Sequence, residues 1–115
     1  MASDTIFDKI LRKEIPAKLV YEDEHVIAFH DIAPQAPIHV LVIPKHKWVG
    51  IADLAQADPV LVGQFMRGVS ATAAKLGLNP DGYRVVFNQG RHGQQTVDYI
   101  HAHILGGRPM NWPPG

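Results

Sequence analysis

Two histidines lie two residues apart near the C-terminus, in Tyr99-Ile100-His101-Ala102-His103-Ile104-Leu105-Gly106-Gly107. In an extended strand, residues i and i+2 point to one face. Tyr99, His101 and His103 then share a face, while Ile100, Ala102 and Ile104 cover the other. His39 joins them if the apolar run Ile38–Ile43 forms the neighbouring strand. Such a cluster can do one of three things. It can hold Zn²⁺, which takes three or four ligands in tetrahedral geometry, although no cysteine or carboxylate partner is evident nearby. One imidazole can attack phosphorus or an acyl carbon while a neighbouring group protonates the leaving atom. Or the rings can be half-buried and satisfied by carbonyls, the ordinary state of a single histidine but a less common one for a same-face pair.

Other polar residues could serve the same site. Asn88-Gln89-Gly90-Arg91-His92-Gly93-Gln94-Gln95-Thr96 is rich in glycine and amides, and backbone N–H groups in such loops can converge on an anion. Asn88 adds an amide and Thr96 a hydroxyl. Taken alone, this loop reads as a solvated connection. Asp31 can accept hydrogen bonds from a sugar diol or simply open a turn. Ile6, Phe7, Ile10 and Phe29 can line a slot for an aromatic base, although apolar residues at such spacing more often build core. Lys45, His46 and Lys47 read as a solvated turn.

The elements that position these groups follow from pattern. Thr5 to Arg12 has a helical apolar period, capped by Asp4 or Ser3 and ended by Ile15-Pro16. Leu19–Glu22 and Val26–His30 form a hairpin, and Asp31 to Pro37 is a proline-rich loop. Ile38 to Ile43 is β-branched and apolar throughout, as befits a central strand buried on both faces. Asp53 to Gly77 reads mostly as a long helix, with Pro59 in a first turn and Val60, Leu61, Phe65, Val69, Ala73 and Leu76 as its stripe. Gly77 caps it, Asn79–Gly82 turns, and Tyr83–Phe87 returns as a strand. The final strand is the histidine run. The expected fold class is α+β: a five-stranded, mostly antiparallel sheet with one long and one short helix, the long one (58–76) covering one face.

Composition narrows the function. The chain has 115 residues, which suits a single domain spanning 1–115. Its 11 basic and 11 acidic residues cancel, which argues against charge-driven nucleic-acid binding. With no cysteine there is neither a disulfide nor thiolate chemistry. No apolar segment is long enough to span a membrane, and the N-terminus lacks a signal-peptide profile. A soluble cytoplasmic protein is the expectation.

The run His101-Ala102-His103-Ile104-Leu105-Gly106-Gly107-Arg108-Pro109-Met110 resembles the signature of the histidine triad (HIT) superfamily. Asp4–Phe7, Arg12–Ala17, Ala28–Pro37, Val42–Lys45 and the ending Trp112-Pro113-Pro114-Gly115 are similar to its Hint branch. The resemblance covers nearly the whole chain. It implies a homodimer joined through the long helix and adjacent strand, about 58–87, and a purine nucleotide of AMP or GMP type at each C-terminal strand. It implies that Ile6, Phe7, Ile10, Phe29 and His30 line the base pocket and that Asp31 with Ile32 holds the ribose. Asn88, Gln94, Gln95 and Thr96 would contact the phosphate or leaving group. His101 matches the nucleophile, His103 the histidine that hydrogen-bonds the phosphate or leaving group, and His39 a buried supporting histidine.

The chain departs from the family pattern in places. Tyr99 stands where the first triad histidine is expected, and Asp98 where a hydrophobic or aromatic residue is expected. Gln94 replaces an expected glycine, which implies crowding of the phosphate loop, and Thr96 a common serine. A tyrosine hydroxyl can donate and accept a hydrogen bond but cannot become cationic. The activity implied is hydrolysis of purine nucleoside 5′-phosphoramidates through covalent His101, with neither metal nor cofactor. The alternatives are a nucleotide-binding interaction protein with little catalysis, a dinucleoside-polyphosphate hydrolase, and a histidine-based zinc-binding protein.

Overall fold

A computed structural model describes residues 4–115. Its first helix, α1 (Ile6–Leu11), is capped by Thr5 rather than Asp4, and Ser3 lies outside the described residues. Thr5 Oγ1 accepts from Asp8 N–H at 3.2 Å, and the Asp8 carboxylate accepts from Thr5 N–H at 2.7 Å. This reciprocal box satisfies two otherwise orphaned donors. It outcompetes Asp4, whose carboxylate pairs instead with Arg12 at 2.8 Å.

The strands β1 (Leu19–Glu22), β2 (Val26–His30), β3 (Ile38–Pro44), β4 (Arg84–Val86) and β5 (Ala102–Gly106) form one sheet. Their order is β1-β2-β3-β5-β4, with every neighbouring pair antiparallel. The expected fold class is therefore observed. β3 is central and buried almost throughout, as its unbroken apolar run requires.

The long helix divides where it was expected to be continuous. Ile51–Gln56 is a 3₁₀ segment, and α2 proper runs Pro59–Lys75. Asp58, held extended at φ −60°, ψ 119°, caps α2 by accepting from Val60 N–H at 2.9 Å. Proline disfavours helical geometry in the residue before it, so no helix passes through 58. At the other end, Leu78 N–H bonds to Ala73 O and Gly77 N–H to Ala74 O. This is a Schellman ending, with Gly77 at φ 75°.

The sheet separates two apolar layers. Val26, Ala28, Val40, Val42, Ile100, Ala102 and Ile104 pack with Phe65, Val69 and Ala73 of α2. On the opposite face Ile27, Phe29, Leu41, Ile43 and Tyr99 pack with Phe7 and Ile10 of α1. Val60, expected in the α2 stripe, is instead 64% exposed. No helix among the described residues is long and apolar enough to cross a membrane.

Gly68 is where α2 comes closest to the sheet. A Cβ there would lie 2.6 Å from both Cγ atoms of Val26, a fully buried side chain. Overpacking of this kind costs about 1–3 kcal/mol, against about 1 kcal/mol gained in helix propensity. Gly68→Ala is expected to lower the urea midpoint despite that gain. An unchanged or raised midpoint would show that Val26 yields freely.

Candidate active site

The antiparallel register of β3 with β5 sets His39 opposite Leu105 and Leu41 opposite His103. His39 and His103 are thus diagonal neighbours on one face, and their Nε2 and Nδ1 atoms lie 2.9 Å apart. His101 immediately precedes β5 and keeps the alternation, its ring centroid 4.9 Å from that of His103. Phe7 of α1 packs edge-on against the His101 ring at 5.0 Å. Tyr99 and Ile100 keep their expected faces but lie outside the strand. The β3 register continued would set Pro44 opposite Ile100; proline has no N–H for the ladder, and Ile100 N–H goes to Trp48 O at 2.8 Å instead.

Each ring has at least one nitrogen committed. His101 Nδ1 lies 2.7 Å from the Tyr99 carbonyl. A carbonyl only accepts, so Nδ1 carries the proton and Nε2 keeps its lone pair. Gln35 N–H donates to His39 Nδ1 at 3.0 Å, which leaves the proton of neutral His39 on Nε2, facing His103 Nδ1. His103 therefore accepts at Nδ1 and carries its own proton on Nε2. That Nε2 is buried and has no hydrogen-bond partner. The cluster thus offers a lone pair at His101 and, beside it, an unused N–H donor at His103.

Burial keeps these rings neutral. Desolvation lowers the pKa of His39 and of His101, against smaller opposing contributions from Asp31 and, for His101, from the Tyr99 carbonyl. His103 is pushed down to about 4, by burial first and then by the proximity of His101 and His39. Between pH 6.5 and about 4 the unfolded chain thus binds more protons than the folded one, so stability falls as pH falls through that window. Allowing for solvent screening of a partly exposed ring, His103 alone should contribute about 1–2 kcal/mol. Urea midpoints at pH 7 and pH 4.5 check this: the second should be lower, and His103→Gln should shrink the difference.

Asp31 faces the same cluster. One carboxylate oxygen accepts from Ala33 N–H at 2.8 Å and the other lies 3.4 Å from His39 Nε2. Asp31, His39 and His103 are close enough together to suggest a cation site. Their hydrogen bonds do not fit one: a cation needs lone pairs on both facing nitrogens, whereas the Gln35 amide leaves His39 with a proton there.

Tyr99 is fully buried, and its hydroxyl donates to the Pro44 carbonyl. Burial and the nearby Asp8 carboxylate raise its pKa, so it stays a neutral donor. Lys47 bridges to Asp8 at 2.9 Å and lies 5.5 Å from the Tyr99 ring centroid. This corrects the reading of Lys45–Lys47 as a merely solvated turn: Lys47 ties the segment after β3 to α1, and Lys45 pairs with Glu22 at 2.8 Å.

The remaining residues divide by burial. Phe7 and Phe29 are core, whereas Ile6 is half exposed and Ile32 is 98% exposed. His30, at the end of β2, is exposed. A surface hollow of about 210 Å³ is lined by Ile10, Lys13, Ile15, Pro16, Ala17, Leu19 and Ile27, so Ile10 alone of the base-pocket candidates borders it. Ile15 was legible only as a helix stop, because its burial depends on β2. The Gln95 amide is spent within the chain: Oε1 accepts from Gly90 N–H, and Nε2 donates to the carbonyls of Val49 and Val97. Gln94 sits at φ 58°, where an expected glycine would be unstrained. Asn88 falls alongside His101 when the β4–β5 register is continued by two residues. Thr96 is exposed.

Residues 12–110 match the HIT domain model. The chain is 54% identical over 116 residues to the 14 kDa zinc-binding protein of Zea mays, covering 98% of this chain and 89% of that one. Among solved structures it is similar to a HIT family hydrolase from Legionella pneumophila, with a TM-score of 0.89 at 46% identity over 96% and 98% of the two chains. It is also similar to a histidine triad nucleotide-binding protein from Candida albicans, with a TM-score of 0.79 at 30% identity over 95% and 82%. The chain belongs to the HIT domain family.

Proposed function

We propose that the protein is a nucleotide hydrolase that cleaves the P–N bond of purine nucleoside 5′-phosphoramidates through His101. The observation that carries this reading is the pairing of opposite tautomers, a lone pair on His101 Nε2 beside an unpartnered N–H on His103. A phosphoryl group matches both, with an electrophilic phosphorus for one and an acceptor oxygen for the other. The similar hydrolase of Legionella pneumophila and the nucleotide-binding protein of Candida albicans support the substrate class.

In the first step His101 Nε2 bonds to phosphorus and the P–N bond breaks. The departing amine takes a proton from solvent while the His103 Nε2–H hydrogen-bonds a phosphoryl oxygen, since a neutral imidazole keeps its one proton. The positive charge that develops on the His101 ring is stabilised by its Nδ1–H bond to the Tyr99 carbonyl. Water then attacks the nucleotidyl-imidazole. The nucleoside monophosphate leaves, His101 recovers its lone pair, and the proton released by the attacking water replaces the one drawn from solvent.

Asn88, Gln94 and Thr96 are assigned to the phosphate or leaving group, and Asp31 with Ile32 to the ribose. Ile6, Phe7, Ile10, Phe29 and His30 are assigned to the base. Gln95 acts by bracing its loop. Two copies are proposed to join through α2 and β4, since β4 is an edge strand and Val60 and Met66 of α2 are 64% and 42% exposed. A fluorogenic AMP–tryptamine phosphoramidate, assayed with and without chelator, tests the activity. Turnover insensitive to chelator supports the reading. No turnover of AMP- or GMP-type substrates would sink it, and loss to chelator would favour the zinc function named for the Zea mays relative.

A further inference from the structure

We propose that the backbone amide of Gln35 is a positioning group that sets the tautomer of His103 through His39, and that the chain after β5 clamps it in place. The relay runs through single, directional bonds. Gln35 N–H donates to His39 Nδ1 at 3.0 Å, and His39 Nε2 faces His103 Nδ1 at 2.9 Å. A neutral imidazole has one proton, so a donor fixed at one end assigns every proton along the line. Its last member is the unpartnered His103 Nε2–H. A backbone amide suits the root of the relay because, unlike a side chain, it can neither titrate nor reverse its direction.

Two contacts hold that amide. Arg108 Nη2 donates to the Gln35 carbonyl at 3.1 Å. Gly107, at φ 89°, runs so close to the loop that a Cβ would meet Pro37 Cβ at 2.9 Å. The end of β5 thus fixes the loop that sets the proton on its own His103. The groups facing His103 are His39, His101 and the Asp31 carboxylate. Of these, Asp31 lies 3.4 Å from His39 Nε2 and is the one other acceptor for that proton. The Gln35 side chain is not involved, since its Nε2 donates to the Ala33 carbonyl.

The inference deepens the phosphoramidase reading, and its primary test does not depend on turnover. Long-range ¹H–¹⁵N spectra of histidine-labelled full-length protein at pH 7 should show His39 and His103 protonated on Nε2 alone and His101 on Nδ1 alone. Gln35→Ala keeps the amide and should keep this pattern. Gln35→Pro deletes the N–H and should mix the tautomers of His39 and His103. Its kcat should fall by about 10²-fold, the lower range for a displaced transition-state hydrogen-bond donor, with KM little changed. If Gln35→Pro does not fold, Arg108→Ala should show the same mixing more weakly. His103 protonated on Nδ1 in the unmodified protein, or an unmixed pattern in both Gln35→Pro and Arg108→Ala, would overturn the proposal. The expected nitrogen pattern without phosphoramidate turnover would instead overturn only the functional reading.

Discussion

His101→Ala is expected to abolish turnover, with kcat falling by about 10⁴-fold or more, as for enzymes that lose a covalent nucleophile. The magnitude follows from the site. Among the described residues, the histidine rings of the cluster are those of His39, His101 and His103. His39 has both nitrogens engaged within the cluster, and His103 presents a proton rather than a lone pair. Water attacking directly is the remaining route. The variant loses a buried ring packed against Phe7 and leaves the Tyr99 carbonyl without its partner, so a urea titration accompanies the assay to show that it folds. Two measurements check the assignment. Rapid quench of the unmodified enzyme in alkaline denaturant, in which a P–N-linked adduct survives, should trap a nucleotidyl adduct on the tryptic peptide containing His101. In His101→Gly, free imidazole should restore part of the rate. An adduct on another residue, or turnover surviving in the alanine variant, would transfer the role.

Tyr99 should separate stability from chemistry. Tyr99→Ala removes a fully buried ring that packs at 6.2 Å from Phe7 and is expected to cost about 3–5 kcal/mol. Tyr99→Phe keeps the ring but strands the Pro44 carbonyl, at a cost of about 1–3 kcal/mol. Its activity per folded molecule should stay within about threefold, because the group that holds His101 is the Tyr99 backbone carbonyl. Urea titrations beside kcat measurements distinguish the two effects. A loss of 10²-fold or more in Tyr99→Phe, with the fold intact, would show that the hydroxyl itself serves the chemistry.

Local patterns were legible because they depend on near neighbours. Alternation over two residues put His101 and His103 on one face even where the ladder stops. The unbroken apolar run 38–43 marked the central strand. Pro59 was recognised as a first-turn residue, although its second consequence, the break at Asp58, was missed when the helix was run back to Asp53. The Thr5 cap was missed in favour of Asp4 because both residue types cap, and only the Arg12 contact takes Asp4 out of the competition.

By itself, then, the sequence determined the faces, the α+β class and the pair of candidate histidines, since each is encoded by spacings of two to four residues. Tertiary structure alone decided which nitrogens of those histidines are engaged, and by what. His39 and His103 are 64 positions apart and Tyr99 and Pro44 are 55 apart; no periodicity carries a hydrogen bond over such distances. A neutral imidazole is donor and acceptor at once, and its residue type does not say which nitrogen does which. The Gln35 amide and the Tyr99 carbonyl say so, and they reach the rings only when the sheet is assembled. Zinc ligand and nucleophile are readings of the same residues, and the protons that those two backbone groups assign are what supports the proposed nucleophile.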